Sequence, residues 1–310
     1  FRSVTCTRFR NQVTALIQSS KRAYYENKFS EYKTDLKQTW KVINSILRPR
    51  NNQCKQPLKK IIIANSEYSE NQDIANILND YFVKVGKNIA DSISTNENDH
   101  LKYLSNNNFV NSFYFSPVTA QDITSIILSQ KNKSGNINSC SIRIIKKLTN
   151  ILSPILASIV NMSLTQGKFL NSLKIARVTP IYKGGDKTDT GNYRPISVLP
   201  LFSKIFEKIV HKQLFRYLNI NSILHENQYG FRANKNTTQA ILNHLQYLYN
   251  NIDSNYIVFS LFLDFRKAFD CVDHLILLSK LKSYGIRGIA NKWFTSYLSN
   301  RKQYVTVNGI

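Results

Sequence analysis

Between Tyr256 and His274 the chain reads YIVFSLFLDFRKAFDCVDH, an apolar run that ends on an aspartate and continues into a basic pair, an aromatic and two further carboxylates. The β-branched and aromatic residues from Tyr256 to Leu263 predict a buried strand with Asp264 at its mouth. A carboxylate held rigidly there can ligate Mg²⁺, a hard cation that takes oxygen ligands and partners with phosphates. One carboxylate does not make a two-metal site, so the remainder of the chain decides what Asp264 is for. Asp273, placed directly before HLILLSKLKSYG, is explained by a helix N-cap, with Gly285 as the stop signal of the same helix.

A second stretch with chemical content is KIARVTPIYKGGDKTDTGNYRPISVLP, residues 174–200. A strand from Ala176 to Tyr182, a basic Gly-Gly turn and a returning segment from Tyr193 to Leu199 predict a hairpin. It brings Lys183 and Arg194 near each other, a point charge beside a planar fork, which suits the grip on a triphosphate. The KGGDK run lacks the spacing of a Walker A loop. Between the two stretches lies HENQYGFRANKNTTQAI, a polar turn with Gly230, Phe231 and Arg232 that leads into a helix capped around Asn236 to Thr238.

The elements that must position these groups follow from periodicity. Residues 4–48 carry apolar side chains at helical spacing among many lysines and predict a long helix or helix pair ended by Pro49. A Pro-punctuated linker over 49–60, a helix from Asn71 to Asp91 and an Asn-rich loop over 94–108 come next. From Phe113 a short strand precedes a helix capped by Thr119, then a polar turn over 131–139 and an apolar helix interrupted by Pro154 and ended by Gly167. A helix bearing Phe202, Ile205, Phe206 and Ile209 follows the hairpin. Near the end, Ile289 to Ser299 is helical, Arg301 to Val307 alternates as a strand, and Asn308-Gly309 signals a hairpin turn.

Composition narrows the partners. Lys plus Arg number 42 against 19 Asp plus Glu in 310 residues, and the net charge of +23 is spread over every segment, which points to a polyanion, nucleic acid before membrane. Seventeen Tyr and 17 Phe supply faces on which bases could stack, although core packing accounts for most of them. Cysteines at 6, 54, 140 and 271 have neither zinc-finger nor disulfide-framework spacing. No apolar run reaches membrane-spanning length, and FRSVTCTRFR at the start is basic without an apolar h-region.

Three blocks in order, VTPIYKGGDKTDTGNYRPISVLPLFSKIFEKIV (178–210), QYGFRANKNTTQAI (228–241) and FLDFRKAFDCVDH (262–274), resemble the reverse transcriptase of non-LTR, LINE-type retrotransposons, most like the jockey-like group. The resemblance implies an α+β, right-hand polymerase fold, with a helical connecting region over 1–112, fingers over 113–250 and a partial palm over 251–310. By the resemblance Asp264 is the first metal-binding aspartate and Phe265 offers its backbone carbonyl to a second Mg²⁺. Lys183 and Arg194 match the positions that hold the nucleotide triphosphate. Phe269 matches the ring beneath the incoming sugar, with a core aromatic as the rival reading. Gln228, Gly230, Phe231 and Arg232 match the template-contacting block.

The implied activity is RNA-directed DNA synthesis on an RNA template from a DNA primer with dNTPs, off any membrane, in nucleus and cytoplasm as ribonucleoprotein. The family's aromatic-Ala-Asp-Asp motif, which supplies the other two metal-binding aspartates, does not occur in these residues. The expectation is therefore a fragment inactive by itself. Two alternatives stand beside it: a non-catalytic RNA-binding remnant, and a relative of group II intron maturases.

Overall fold

A computed structural model of the protein describes residues 2–47, 58–92, 110–131, 141–265 and 267–309. Arg266, the loops expected over 94–108 and 131–139, and most of the linker expected over 49–60 fall outside these ranges. The chain divides into two compact units, Phe1–Pro57 and Leu58–Ile310.

The first unit is a helix pair. Helix α1 (Arg2–Glu31) carries the i,i+4 ion pair Arg22–Glu26 at 3.0 Å and the i,i+3 pair Lys28–Glu31 at 2.6 Å on its surface. Asp35 starts α2 (Leu36–Leu47) by accepting from the backbone N–H groups of Lys37 and Gln38.

The second unit is α+β. A short hairpin, β1 (Ile61–Ile63) and β2 (Ser66–Tyr68), precedes α3 (Asn71–Asp91). Helix α4 (Ala120–Ser129) opens on a capping box in which Thr119 Oγ1 accepts from the Asp122 N–H and Asp122 accepts from the Thr119 N–H, both at 3.2 Å. Helix α5 (Ile142–Lys147) and α6 (Thr149–Gln166) are separated at Leu148. The interruption expected at Pro154 therefore falls earlier. Pro154 lies inside α6, which continues through it because the helix is packed along Leu156, Val160 and Leu164. Gly167, left-handed at φ 65°, ends α6 in a Schellman arrangement with the Lys168 N–H on the Ser163 carbonyl at 3.1 Å.

Strands β3 (Ile175–Tyr182) and β4 (Tyr193–Val198) form the expected antiparallel hairpin in the register Ile181 to Arg194. Helix α7 (Leu201–Ile220), α8 (Thr237–Asp253), α9 (His274–Ser283) and α10 (Gly288–Leu298) lead to β5 (Lys302–Val305). The sheet order is β4-β3-β5, with β5 parallel to β3 and Val305 opposite Val178. Among the described residues β5 lies at the edge of this sheet, beside β3.

Three apolar cores hold this unit together, the smallest around Phe113, Ile286 and Ala290. One joins α4, α5, α6, α7 and α10 around Ile123, Ile127, Val160, Ile205, Phe206 and Trp293, with the Trp293 indole donating to Ser163 Oγ at 3.1 Å. Another packs Ile74, Ala75, Leu78 and Phe82 of α3 against Val178, Tyr193 and Val305 of the sheet. Because α3 buries its apolar face on the sheet, it packs in the same compact unit as the sheet, and that unit begins at Leu58.

Two expected strands do not form. Residues around Phe113 are extended but belong to no ladder. Side-chain amides replace a partner strand: Gln213 accepts from the Ser116 N–H and donates to its carbonyl, both at 2.9 Å, and Asn161 does the same for Val118 at 2.7 and 2.9 Å. Residues 256–265 also lie outside any strand, with Phe259 92% exposed. The greasy run that predicted a buried strand has no partner among the described residues, and β structure needs one to satisfy its backbone.

Candidate nucleotide and nucleic-acid site

The hairpin loop is built to present cations. Gly184 and Gly185 take φ of 135° and 95°, and a Cβ on Gly185 would come within 2.9 Å of the Asn192 side chain. The loop carboxylates are turned to backbone donors: Asp186 accepts from the Thr188 N–H at 2.9 Å and Asp189 from the Gly191 N–H at 2.7 Å. The bonds from Thr188 hold the Asp186 carboxyl below its ordinary range.

Lys183 donates its N–H to the Asn192 carbonyl at 2.9 Å, which extends the register one step beyond the Tyr182 to Tyr193 pair. Lys183 and Ile181 share a face, and Arg194 lies opposite Ile181, so Lys183 and Arg194 are diagonal neighbours on one side of the hairpin. Both are exposed, and neither side chain has an ion-pair or hydrogen-bond partner among the described residues. The spacing read from sequence therefore becomes a pair of cations aimed into open space on one face.

The block from Gln228 to Arg232 is a turn that bonds mostly to itself. Gln228 Nε2 donates to the Gly230 carbonyl at 3.2 Å. Arg232 donates from Nη1 to the His225 carbonyl at 2.9 Å and from Nη2 to Asn219 Oδ1 at 3.4 Å, which ties the turn to the end of α7. Those two side chains act structurally in this arrangement. Phe231 does not: it takes φ 59°, stands 87% exposed and meets Phe269 edge to face at 5.8 Å. The template block and the expected sugar-facing ring are thereby brought together.

Asp264 and Phe265 lie exposed on the extended run. Among the described residues no three His, Cys, Asp or Glu side chains stand together as a metal site. Asp264 with the neighbouring carbonyl offers two ligand groups and at most three oxygens, fewer than the six or more that a hard cation takes. Asp273 caps α9, accepting from the Leu275 and Ile276 N–H groups at 2.7 and 3.0 Å. Asp270 closes a turn, its N–H on the Lys267 carbonyl at 2.9 Å.

Residues missed in the sequence reading border this turn. Lys267 Nζ donates to the Tyr81 hydroxyl at 2.9 Å and sits 4.5 Å from its ring centre, and a Cβ on Gly86 would come within 2.0 Å of the Asp270 carbonyl oxygen. A glycine inside a helical pattern was the available signal.

Residues 182–310 match the family described as reverse transcriptase (RNA-dependent DNA polymerase). Over this segment the chain is similar to reverse transcriptases. Relatives in Drosophila melanogaster include a probable RNA-directed DNA polymerase from transposon X-element, 36% identical over 35% of this chain and 12% of its own length. The RNA-directed DNA polymerase from mobile element jockey is 30% identical over 56% of this chain and 19% of its own. A probable RNA-directed DNA polymerase from transposon BS is 29% identical over 62% and 21%. The chain spans about a fifth or less of the length of these relatives. The reverse transcriptase match begins at Tyr182, so α3 and the first arm of the sheet precede it. No described helix is long and apolar enough to cross a membrane.

Proposed function

We propose that the chain is part of an RNA-directed DNA polymerase of a non-LTR, jockey-like retrotransposon, built as the fingers and first palm segment of a right-hand polymerase. It works on an RNA template and a DNA primer with dNTPs, as ribonucleoprotein in cytoplasm and nucleus. Arg194 and Lys183 hold the triphosphate, Phe269 lies beneath the incoming sugar, and Gly230 and Phe231 run along the template while Gln228 and Arg232 shape that turn. Asp264 and the Phe265 carbonyl are the oxygens this chain contributes towards Mg²⁺. The observation that carries the reading is the reverse transcriptase match over residues 182–310, which spans every one of these positions.

The experiment is a pair of fluorescence titrations of the 310-residue chain. A labelled RNA–DNA primer–template should bind with an affinity that falls linearly, on log scales, as salt rises. Labelled dATP should bind too, and Arg194→Ala should weaken it roughly ten- to a hundredfold, the loss expected for a charge-assisted hydrogen bond. Primer–template binding without any dATP binding would instead favour an RNA-binding remnant. Equal dATP affinity in parent and Arg194→Ala would remove the role given to the hairpin.

A further inference from the structure

Helix α3 touches both halves of the proposed site. Its Ile74, Leu78 and Phe82 pack on the sheet whose hairpin carries Lys183 and Arg194. Its Tyr81 and Gly86 meet the turn that follows Asp264. That turn, Lys267 to Cys271, is closed by the Asp270 and Cys271 N–H groups on the Lys267 carbonyl at 2.9 and 3.2 Å, and it contains Phe269.

Lys267 adopts φ 50°, a left-handed conformation that a non-glycine residue keeps only where its surroundings hold it. The holding contact is Tyr81, whose hydroxyl accepts from Lys267 Nζ while its ring lies under the ammonium. Gly86 sits in the interior of a 21-residue helix, where glycine is the poorest ordinary residue, and it is buried. Its missing side chain has a structural use. With a Cβ 2.0 Å from the Asp270 carbonyl oxygen and 2.8 Å from the carbonyl carbon, no other residue lets the turn come this close.

We propose that Tyr81 and Gly86 are positioning residues for the polymerase site: α3, which lies outside the matched reverse transcriptase segment, seats the Lys267–Cys271 turn and so fixes Phe269, and Asp264 before it, relative to the triphosphate-binding hairpin. The inference rests on the function proposed above for Phe269 and the hairpin. It makes α3 a rigid bracket: the helix packs on the sheet through Ile74, Leu78 and Phe82 and meets the turn at Tyr81 and Gly86, and the incoming nucleotide has to fit between sheet and turn.

The test uses the whole chain with Cys6, Cys54 and Cys140 replaced by serine, so that half-buried Cys271 is the sole thiol. Hydrogen exchange of residues 267–271, the labelling rate of Cys271, and the affinities for dATP and ATP are compared in the parent, Tyr81→Phe, Lys267→Met and Gly86→Ala. Tyr81→Phe and Lys267→Met should each speed exchange and labelling in the turn by roughly tenfold, the effect of losing one charge-assisted contact, with exchange in β3 unchanged. The dATP-to-ATP preference should fall in the same variants. If Gly86→Ala unfolds, the other two variants carry the decision. Turn exchange equal to the parent in both overturns the seating. A loosened turn with an unchanged dATP-to-ATP preference overturns the positioning role. A parent that binds no dATP sinks the polymerase reading, and the role given to the turn with it, while the exchange data still measure the seating.

Discussion

Lys174 stands directly before β3 with 3% of its surface exposed, and it has neither an ion-pair nor a hydrogen-bond partner for its ammonium among the described residues. Burial lowers its pKa, and the neighbouring Arg301 lowers it further. The sign is that of a buried base: the unfolded chain holds this proton more tightly, so stability rises with pH between the lowered folded value and about 10.4, the ordinary lysine value. Lys174→Met, which keeps the stem and removes the charge, should stabilise the protein by about 1 kcal/mol, a melting shift of roughly 2–4 °C, and should flatten stability against pH in that window. Thermal melts of parent and variant from neutral pH upward check it, and a lower melting temperature in Lys174→Met would show that the ammonium has a role the packing does not reveal. Close by, burial and Glu207 push the Tyr297 phenol well above its usual range. It therefore stays a donor to Glu207, at 2.8 Å, while Arg301 lies over its ring. Nothing in the sequence separated Lys174 from the other basic residues, because its burial depends on β5 returning beside β3 from 128 positions further along the chain, where the Lys302 N–H donates to its carbonyl.

Helix ends were legible where the signal is local. Thr119 with Asp122, Asn236 with Gln239, Asp273 and Gly167 each do in the structure what their spacing predicts, since a cap needs only residues three or four apart. The Thr119 side chain, then its backbone N–H, then Lys212 at 3.5 Å hold the Asp122 carboxyl below its usual range. A depressed acid contributes stability that is present above its unfolded pKa and is lost as pH falls through the folded value, so the start of α4 should weaken below about pH 4. Thr119→Ala should cost about 1 kcal/mol at neutral pH and remove most of that acid dependence, measured by hydrogen exchange of residues 120–124 between neutral pH and pH 3. An unchanged acid dependence in Thr119→Ala would assign it to Lys212 instead. Elements that depend on a distant partner were the ones misread. Residues 256–263 have the composition of a buried strand but no ladder to join, and the segment at Phe113 finds Gln213 and Asn161 where a strand would have found backbone. Composition reports what a segment can pair with, and the partner decides whether it does.

At the scale of the molecule, the basic hairpin, the aromatic turn and Asp264 follow one another along the chain, and the compact unit that carries them includes α3. The apolar face of α3 is buried by Val178, Tyr193 and Val305, which come from three different strands. Periodicity shows that a helix has a face to bury and is silent about which surface covers it. The consequence is a comparison of two truncations. Residues 58–310 keep all three cores whole and should melt cooperatively, within a few degrees of the full chain. Residues 113–310 strip α3 from the sheet and expose at least four large apolar side chains there, each worth about 1.5–3 kcal/mol when buried, a loss comparable with the whole stability of an ordinary domain. That shorter chain should lose its cooperative transition or precipitate, as read by differential scanning calorimetry and by the near-ultraviolet circular dichroism of its aromatic side chains. Should 113–310 melt as sharply and as high as 58–310, the sheet would be stable without α3, and the helix could not be the bracket that holds hairpin and turn in register.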